Sequence, residues 1–122
     1  MAETEKPLFW AGSSKRDLLE FPDAVIDMFG HALGDAQEGR KSALAKPWKG
    51  EGPGVFELAD EFKGDAFRAV YAVRFAKAVY VLHCFQKKSP SGIRTAKQDV
   101  DLIRTRLQAA QLHYEELYGK DR

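Results

Sequence analysis

The chain lacks the features that mark several common classes of protein. Cys84 is its only cysteine, so an intramolecular disulfide is impossible and a reducing compartment suits it best. No uninterrupted apolar run approaches the roughly 18 residues that a membrane-spanning helix needs, and the polar N-terminus has no signal-peptide core. We therefore expect a cytoplasmic protein that has no membrane partner.

The signatures of several enzyme classes are missing as well. There is no glycine-rich phosphate loop with its lysine, no dinucleotide-binding glycine fingerprint and no serine in a nucleophile elbow. The three histidines, His31, His83 and His113, are scattered along the chain, and no Cys/His pair has the spacing of zinc ligands. The sequence therefore gives no reason to expect a metal ion or an organic cofactor.

The distribution of positive charge is more informative than its total. The net charge is only +1, which does not mark the whole chain as a nucleic-acid binder. Locally, however, the apolar run 79–86 ends in Lys87 and Lys88, and the run 67–71 carries Arg68 among apolar neighbours. If these runs pair as strands, three cations lie close together, an arrangement that is tolerated where a polyanion binds.

Hydrophobic patterning predicts two N-terminal helices, a sheet and a C-terminal helix. Residues 7–10 suggest a first strand, and apolar residues recur at helical spacing from residue 18 to 33, with Pro22 either starting a second helix or kinking a single one. Residues 55–62, 66–73 and 79–86 read as an antiparallel meander, whose last and most apolar strand we expect to be central.

The last helix is predicted by an apolar stripe over residues 96–117, which we expect to pack on the domain's own sheet. Helices segregated from an antiparallel sheet make an α+β fold. A chain of 122 residues is the size of one domain. We expect residues 1–6 to form a disordered tail and residues 7–122 to form a single domain.

A long non-periodic stretch, residues 39–54, separates the helices from the meander. It contains Trp48 between Lys46 and Lys49, and long loops in small domains are often functional. Two interpretations of Trp48 carry equal weight: it stacks on a nucleic-acid base while the lysines hold phosphates, or it caps the core beneath the loop. Arg94 and Lys97 oppose the dipole at the start of the last helix, which indicates either indifference or a bound anion.

The candidate site residues also have ordinary structural interpretations. Arg68 is expected to pair diagonally with Glu57 if the turn between their strands has two residues. Lys87 and Lys88 are equally typical of a charged strand end. His83, in the most apolar strand, is interpreted as a satisfied core residue before it is considered as an acid or base.

Four short segments, taken in order, resemble a known family. The four segments are Lys-Pro-Trp-Lys-Gly at 46–50, Gly-Val-Phe-Glu-Leu at 54–58, Phe-Arg-Ala-Val-Tyr at 67–71 and Leu-His-Cys-Phe-Gln-Lys-Lys at 82–88. They are similar to the conserved segments of phage-derived, HigB-like toxins. These toxins belong to the RelE/ParE superfamily of bacterial type II toxin–antitoxin systems. The resemblance spans residues 7 to about 110 and implies a small α+β domain with a twisted antiparallel sheet.

The resemblance implies a metal-independent endoribonuclease that cuts messenger RNA, usually on the ribosome, and is neutralised by a cognate antitoxin, often a helix-turn-helix protein. It assigns Arg68 to the phosphate, Lys87 or Lys88 to proton transfer or charge stabilisation, and Lys46 and Lys49 to the RNA backbone. It leaves the proton acceptor open. The alternatives are a ParE-like inhibitor of DNA gyrase and a non-toxic, phage-derived binding module.

Overall fold

The computed structural model describes residues 5–87 and 95–120, and the predicted site residues Lys88 and Arg94 lie outside them. The described part contains three helices and five strands, which confirms the predicted α+β class. In chain order they are β1 (Leu8–Trp10), α1 (Ser14–Leu19), α2 (Asp23–Gln37), β2 (Lys46–Pro47), β3 (Val55–Phe62), β4 (Asp65–Ala72), β5 (Val79–Lys87) and α3 (Lys97–Tyr118).

The strands form one mixed sheet in the order β1-β5-β4-β3-β2. Strands β3, β4 and β5 make the predicted antiparallel meander. The sheet departs from the antiparallel arrangement at one edge only, where β1 pairs with β5 in parallel, which the long connection through both helices permits. Strand β5 is an interior strand, as expected, but β4 holds the middle position.

The β3–β4 hairpin has a two-residue turn, Lys63-Gly64. Both residues have positive φ, 53° and 88°, as a type I′ turn requires. The turn is one residue shorter than predicted, since Asp65 already pairs with Phe62 as the first residue of β4. This turn fixes the register of the two strands that carry Glu57 and Arg68.

Pro22 starts a second helix instead of kinking a single one. It is the N-cap of α2 with an extended ψ of 148°, since its ring fixes φ and it needs no backbone donor there. At the other end of α2, Lys6 donates its backbone N–H to the Gln37 carbonyl (2.8 Å), and Gln37 Nε2 donates to the Lys6 carbonyl (2.7 Å). The chain is therefore held from Lys6, which is the last residue of the predicted tail.

Helices cover both faces of the sheet, which gives two cores. Helices α1 and α2 cover one face, where the core consists of Leu18, Phe21, Val25, Phe29, Ala32, Leu33, Ala36, Ala45, Leu58, Phe67, Ala69, Tyr71, Val79, Val81 and Cys84. Helix α3 covers part of the other face, where the core consists of Trp48, Val55, Val70, Ala72, Phe75, Ala78, Tyr80, Leu82, Phe85, Ile103, Leu107, Ala110 and Tyr114.

A β-bulge in β5 decides which face its last residues occupy. Tyr71 pairs with Val81 and Val70 pairs with His83, so Leu82 is the extra residue. An extra residue reverses the alternation that follows it. The sequence pattern put His83 on the same face as Val81, but the structure puts it on the α3 side.

Helix α3 packs on the domain's own sheet, as predicted. Ile103, Leu107, Ala110 and Tyr114 are its buried residues, whereas Leu117, which the stripe included, is 54% exposed. None of the helices in residues 5–87 and 95–120 combines the length and apolar character that crossing a bilayer requires.

Replacing Ile103 by alanine is expected to lower the free energy of unfolding by about 2–5 kcal/mol, because it leaves a cavity between α3 and the sheet. Leu112→Ala, on the exposed side of the same helix, should change it by less than about 0.5 kcal/mol. Urea unfolding followed by circular dichroism measures both. Equal effects would contradict the assigned packing of α3.

Candidate functional site

The predicted cations meet on the face of the sheet that α3 only partly covers. Residues directly opposite one another in neighbouring strands share a face, and the pairs on this side include Arg68 with Phe85, and Lys87 with Ala66. Lys46 of the edge strand β2 lies opposite Glu57. We call this surface the Arg68 face; it consists of Lys46, Glu57, Arg68 and Lys87.

Arg68 and Glu57 form an ion pair at the centre of this face. Arg68 Nη1 donates to Glu57 Oε1 over 3.0 Å, and the two side chains are 21% and 18% exposed. The diagonal contact expected for a two-residue turn is therefore present.

Glu57 does not satisfy the whole guanidinium of Arg68. Arg68 Nε is buried and has no hydrogen-bond partner among the described residues. A guanidinium has five N–H donors and no acceptor, so the single contact with Glu57 leaves unused donors that an anion binding in bidentate fashion would satisfy. An incompletely satisfied buried donor calls for an explanation, and a missing anionic ligand supplies one.

The lysines of this region differ in placement. Lys87 is the last residue of β5 and is half-buried. It lies two residues after Phe85, the cross-strand partner of Arg68, and therefore on the same face as Arg68. Lys46 is exposed at the sheet edge, and Lys49 is exposed in the loop after β2. The structure thus brings Arg68, Lys87 and Lys46 to one face. The strand pattern allowed at most one of Lys87 and Lys88 to face Arg68, and Lys87 does so.

The structure favours the alternative interpretation of Trp48. The residue is only 9% exposed and belongs to the α3-side core. Its backbone N–H donates to the Val55 carbonyl over 2.8 Å, which fixes the loop against the start of β3. Little of the indole ring is left for a base to stack on, so Trp48 caps the core beneath the loop.

Lys97 forms an ion pair within α3. It is the first residue of α3, its side chain is 87% exposed, and its Nζ lies 2.8 Å from Asp101 Oδ2 in an i,i+4 pair. This hydrogen bond lowers the pKa of Asp101 below its ordinary value. The oppositely charged residue one turn on gives a structural reason for a cation at this end of the helix.

His83 is a satisfied, nearly buried residue. Its Nε2 lies 2.8 Å from Asp99 Oδ1, its Nδ1 lies 3.5 Å from Arg106 Nη1, and its ring stacks on Phe85 at 4.7 Å. Arg106 can only donate, so Nδ1 is the acceptor and the Nε2–H donates to Asp99. Both ring nitrogens are engaged within the fold, which leaves neither for substrate.

Asp99 and Arg106 are structural residues that the sequence reasoning missed. Arg106 also donates to the Leu82 carbonyl (2.9 Å) and to Ser13 Oγ (3.3 Å). Its guanidinium lies so close to Gly12, whose φ is +52°, that a Cβ there would be 2.7 Å from Nη2. The seven-residue spacing of Asp99 and Arg106 puts both on one side of α3 and was the available signal.

The remaining candidate groups have structural roles. Cys84 is buried, and burial raises the pKa of its thiol to about 12, so it is not a reactive nucleophile. Tyr114 is fully buried, and its hydroxyl accepts the Lys77 N–H over 3.1 Å. Within residues 5–87 and 95–120, no three acidic, histidine or cysteine side chains come together as a metal site would require.

These observations define a small α+β protein with a cationic sheet face built around an arginine–glutamate pair. Over residues 16–108 the chain matches the family described as phage derived protein Gp49-like (DUF891). The match covers well over half of the chain, which therefore belongs to this phage-derived family. The membership confirms the resemblance to phage-derived, HigB-like toxins.

Among solved structures, the chain is similar to the toxin-antitoxin complex RelBE2 from Mycobacterium tuberculosis. The identity is 20%, the match covers 70% of this chain and 95% of that chain, and the TM-score is 0.46. No curated protein matches this chain.

Asp99→Ala is expected to lower the free energy of unfolding by about 1–3 kcal/mol, because it leaves the buried Nε2–H of His83 without its acceptor. Asp99→Asn should cost less, since the amide oxygen can still accept. Asp101→Ala, which breaks the exposed pair with Lys97, serves as the control and should destabilise the fold clearly less, since exposed ion pairs contribute little to stability. Thermal unfolding compares the three variants, and similar costs for Asp99→Ala and Asp101→Ala would contradict the role of His83.

Proposed function

We propose that this protein is the toxin component of a type II toxin–antitoxin system and that it acts as a metal-independent endoribonuclease on messenger RNA. Membership of the Gp49-like family supports the first part. The observation that carries the second is the Arg68–Glu57 pair on a sheet face that also bears Lys46 and Lys87. This face offers an incompletely satisfied cation, a carboxylate in contact with it and further cations.

These groups match the needs of RNA transesterification. The 2′-oxygen attacks the adjacent phosphorus, the bond from phosphorus to the 5′-oxygen breaks, and the products end in a 2′,3′-cyclic phosphate and a 5′-hydroxyl. In the proposal Glu57 accepts the proton of the 2′-hydroxyl. Arg68 stabilises the charge that develops on the phosphate, and Lys87 or Lys88 gives a proton to the leaving 5′-oxygen.

Glu57 fills the position of proton acceptor that the sequence left open. It contacts Arg68 and is partly exposed, so a substrate bound to the guanidinium lies within its reach. His83 and Tyr114 are poorer acceptors, because each is buried and already bonded within the fold. Geometry is the first requirement of a general base, and Glu57 meets it.

The wider setting of the proposal combines the cytoplasmic location expected from the composition with the substrate and partner that the resemblance implies. The protein acts in the cytoplasm, its substrate is messenger RNA on the translating ribosome, and a cognate antitoxin, a helix-turn-helix protein, neutralises it. The ribosome would supply substrate orientation, which accounts for a large share of a catalysed rate. Lys46 and Lys49 guide the RNA backbone, and Arg94 stays a prediction. Trp48 is buried in the core and Lys97 pairs with Asp101, and neither has a role in the proposed mechanism.

Arg68→Gln and Glu57→Gln are each expected to slow RNA cleavage by about 100-fold or more, since one removes transition-state stabilisation and the other the proton acceptor. The combined Lys87→Ala and Lys88→Ala variant should lose toxicity too. Cleavage of messenger RNA on purified translating ribosomes, together with bacterial growth after induction, measures the effects.

The matched control is Glu61→Gln. Glu61 lies on the same strand and face as Glu57, is exposed, and belongs to no proposed machinery. The Glu61→Gln variant should cleave RNA at the wild-type rate. Circular dichroism checks that all variants fold. Full activity of both Arg68→Gln and Glu57→Gln would overturn the site assignment.

Pulse labelling after induction separates RNA cleavage from gyrase inhibition. If translation is the target, methionine incorporation falls within minutes while thymidine incorporation continues. Early loss of thymidine incorporation alone would replace the proposal with the gyrase inhibitor, and no loss of either would leave the non-toxic binding module.

A further inference from the structure

Glu57 forms an ion pair with Arg68, whose guanidinium binds the RNA phosphate in the proposed function. We infer that, in the free protein, the Glu57 carboxylate stands where a phosphodiester of the substrate binds, so that RNA must displace Glu57 from Arg68. The inference rests on the proposed function and deepens it. It adds that the phosphate site is partly blocked by the protein itself, and that Glu57 limits affinity for RNA as well as taking part in its cleavage.

The charges around Glu57 support this interpretation. Arg68 Nη1 lies 3.0 Å from its carboxylate, and Lys46 is directly opposite Glu57 on the neighbouring edge strand. A carboxylate and a phosphate present the same kind of anionic oxygen to a guanidinium. The position flanked by Arg68 and Lys46 is therefore suited to one anionic group, and Glu57 is the group that now holds it.

The pair is placed so that it can open. Both side chains are about one-fifth exposed, so solvent and ligands reach the contact. The strands that carry them are paired over their whole length, from Val55 with Ala72 to Phe62 with Asp65. Opening therefore needs only a rotation of the Glu57 side chain, while Phe85 and Ala59, the direct neighbours of Arg68 on either side, keep its stem in place.

RNA gains less binding free energy when it must displace Glu57 from Arg68 than it would if the guanidinium had no partner. When RNA binds the wild type, Arg68 exchanges one anionic partner for another, and the freed carboxylate then lies beside the phosphate. In Glu57→Gln neither cost applies, because a neutral amide competes weakly with phosphate. Binding to RNA should therefore become tighter, although cleavage becomes slower.

Equilibrium binding to a single-stranded 2′-O-methyl RNA oligonucleotide tests the inference, because the methyl group removes the attacking hydroxyl and no cleavage occurs. Four variants are compared with the wild type over a range of salt concentrations: Glu57→Gln, Glu61→Gln, Arg68→Gln and the double variant Glu57→Gln with Arg68→Gln. Glu61→Gln removes the same charge from the same strand and face without touching Arg68. Circular dichroism confirms that each variant folds.

We expect Glu57→Gln to bind about fivefold more tightly than the wild type, the gain from removing one competing, partly exposed ion pair. The slope of log affinity against log salt should steepen by about 0.7, as for one additional phosphate contact on a single strand. Glu61→Gln should show less than about half of the fold gain, since screening weakens the effect of a more distant charge. In the double variant the extra gain should disappear, because Glu57 has no cation to compete for.

The outcomes separate the inference from the proposed function. If Arg68→Gln weakens binding but Glu57→Gln binds no more tightly than Glu61→Gln, Arg68 is a phosphate site and the inference is overturned. If Arg68→Gln leaves binding unchanged, the assignment of Arg68 to the substrate phosphate fails, and the inference fails with it. A gain in Glu57→Gln that persists in the double variant would also overturn the inference, because general electrostatics would then explain it.

Discussion

The register of the β3–β4 hairpin is the constraint on which the candidate site depends. The two-residue turn at Lys63-Gly64 sets Glu57 diagonally across from Arg68 on the same face. A slip of one residue would send one of the two side chains to the opposite face. The ion pair, the incompletely satisfied guanidinium and the proposed competition between Glu57 and RNA all follow from that turn.

A second constraint acts through β5 and α3. The bulge at Leu82 turns His83 towards α3, where Asp99 and Arg106 hold its two ring nitrogens. His83 in turn stacks on Phe85, which is the direct cross-strand neighbour of Arg68. His83 therefore supports Arg68 indirectly, through Phe85, whereas Glu57 contacts Arg68 directly.

Much of the fold was predictable because strong periodicity has one physical interpretation. The alternation in β3 and β4 placed Arg68 on the face opposite Phe67 correctly, and the α3 stripe identified Ile103, Leu107, Ala110 and Tyr114. The parallel pairing of β1 was not predictable, because three apolar residues carry no information about their partner strand. The bulge was hidden too, since apolar residues of a buried strand suit either face.

The candidate site was predictable only in part, for the same kind of reason. The strand pattern placed Arg68 on its face and left open whether Lys87 or Lys88 shares that face. The choice between a free and a paired Arg68 depended on a turn in which Lys63 adopts a positive φ. Trp48 had two equally physical interpretations, and only its burial decides between them. Asp99 and Arg106 sit among charged residues that look like the solvent face of a helix, and only tertiary placement shows their contacts with His83.

The chemistry of the RNA ends produced by the purified protein tests the central claim most directly. Messenger RNA on translating ribosomes would be exposed to the wild type and to the Glu57→Gln variant, and the new ends identified by their reactivity to kinase and phosphatase. The account predicts 5′-hydroxyl and 2′,3′-cyclic phosphate ends that depend on Glu57. Intact RNA, ends with a 5′-phosphate, or the same cyclic ends at full rate from Glu57→Gln would contradict it.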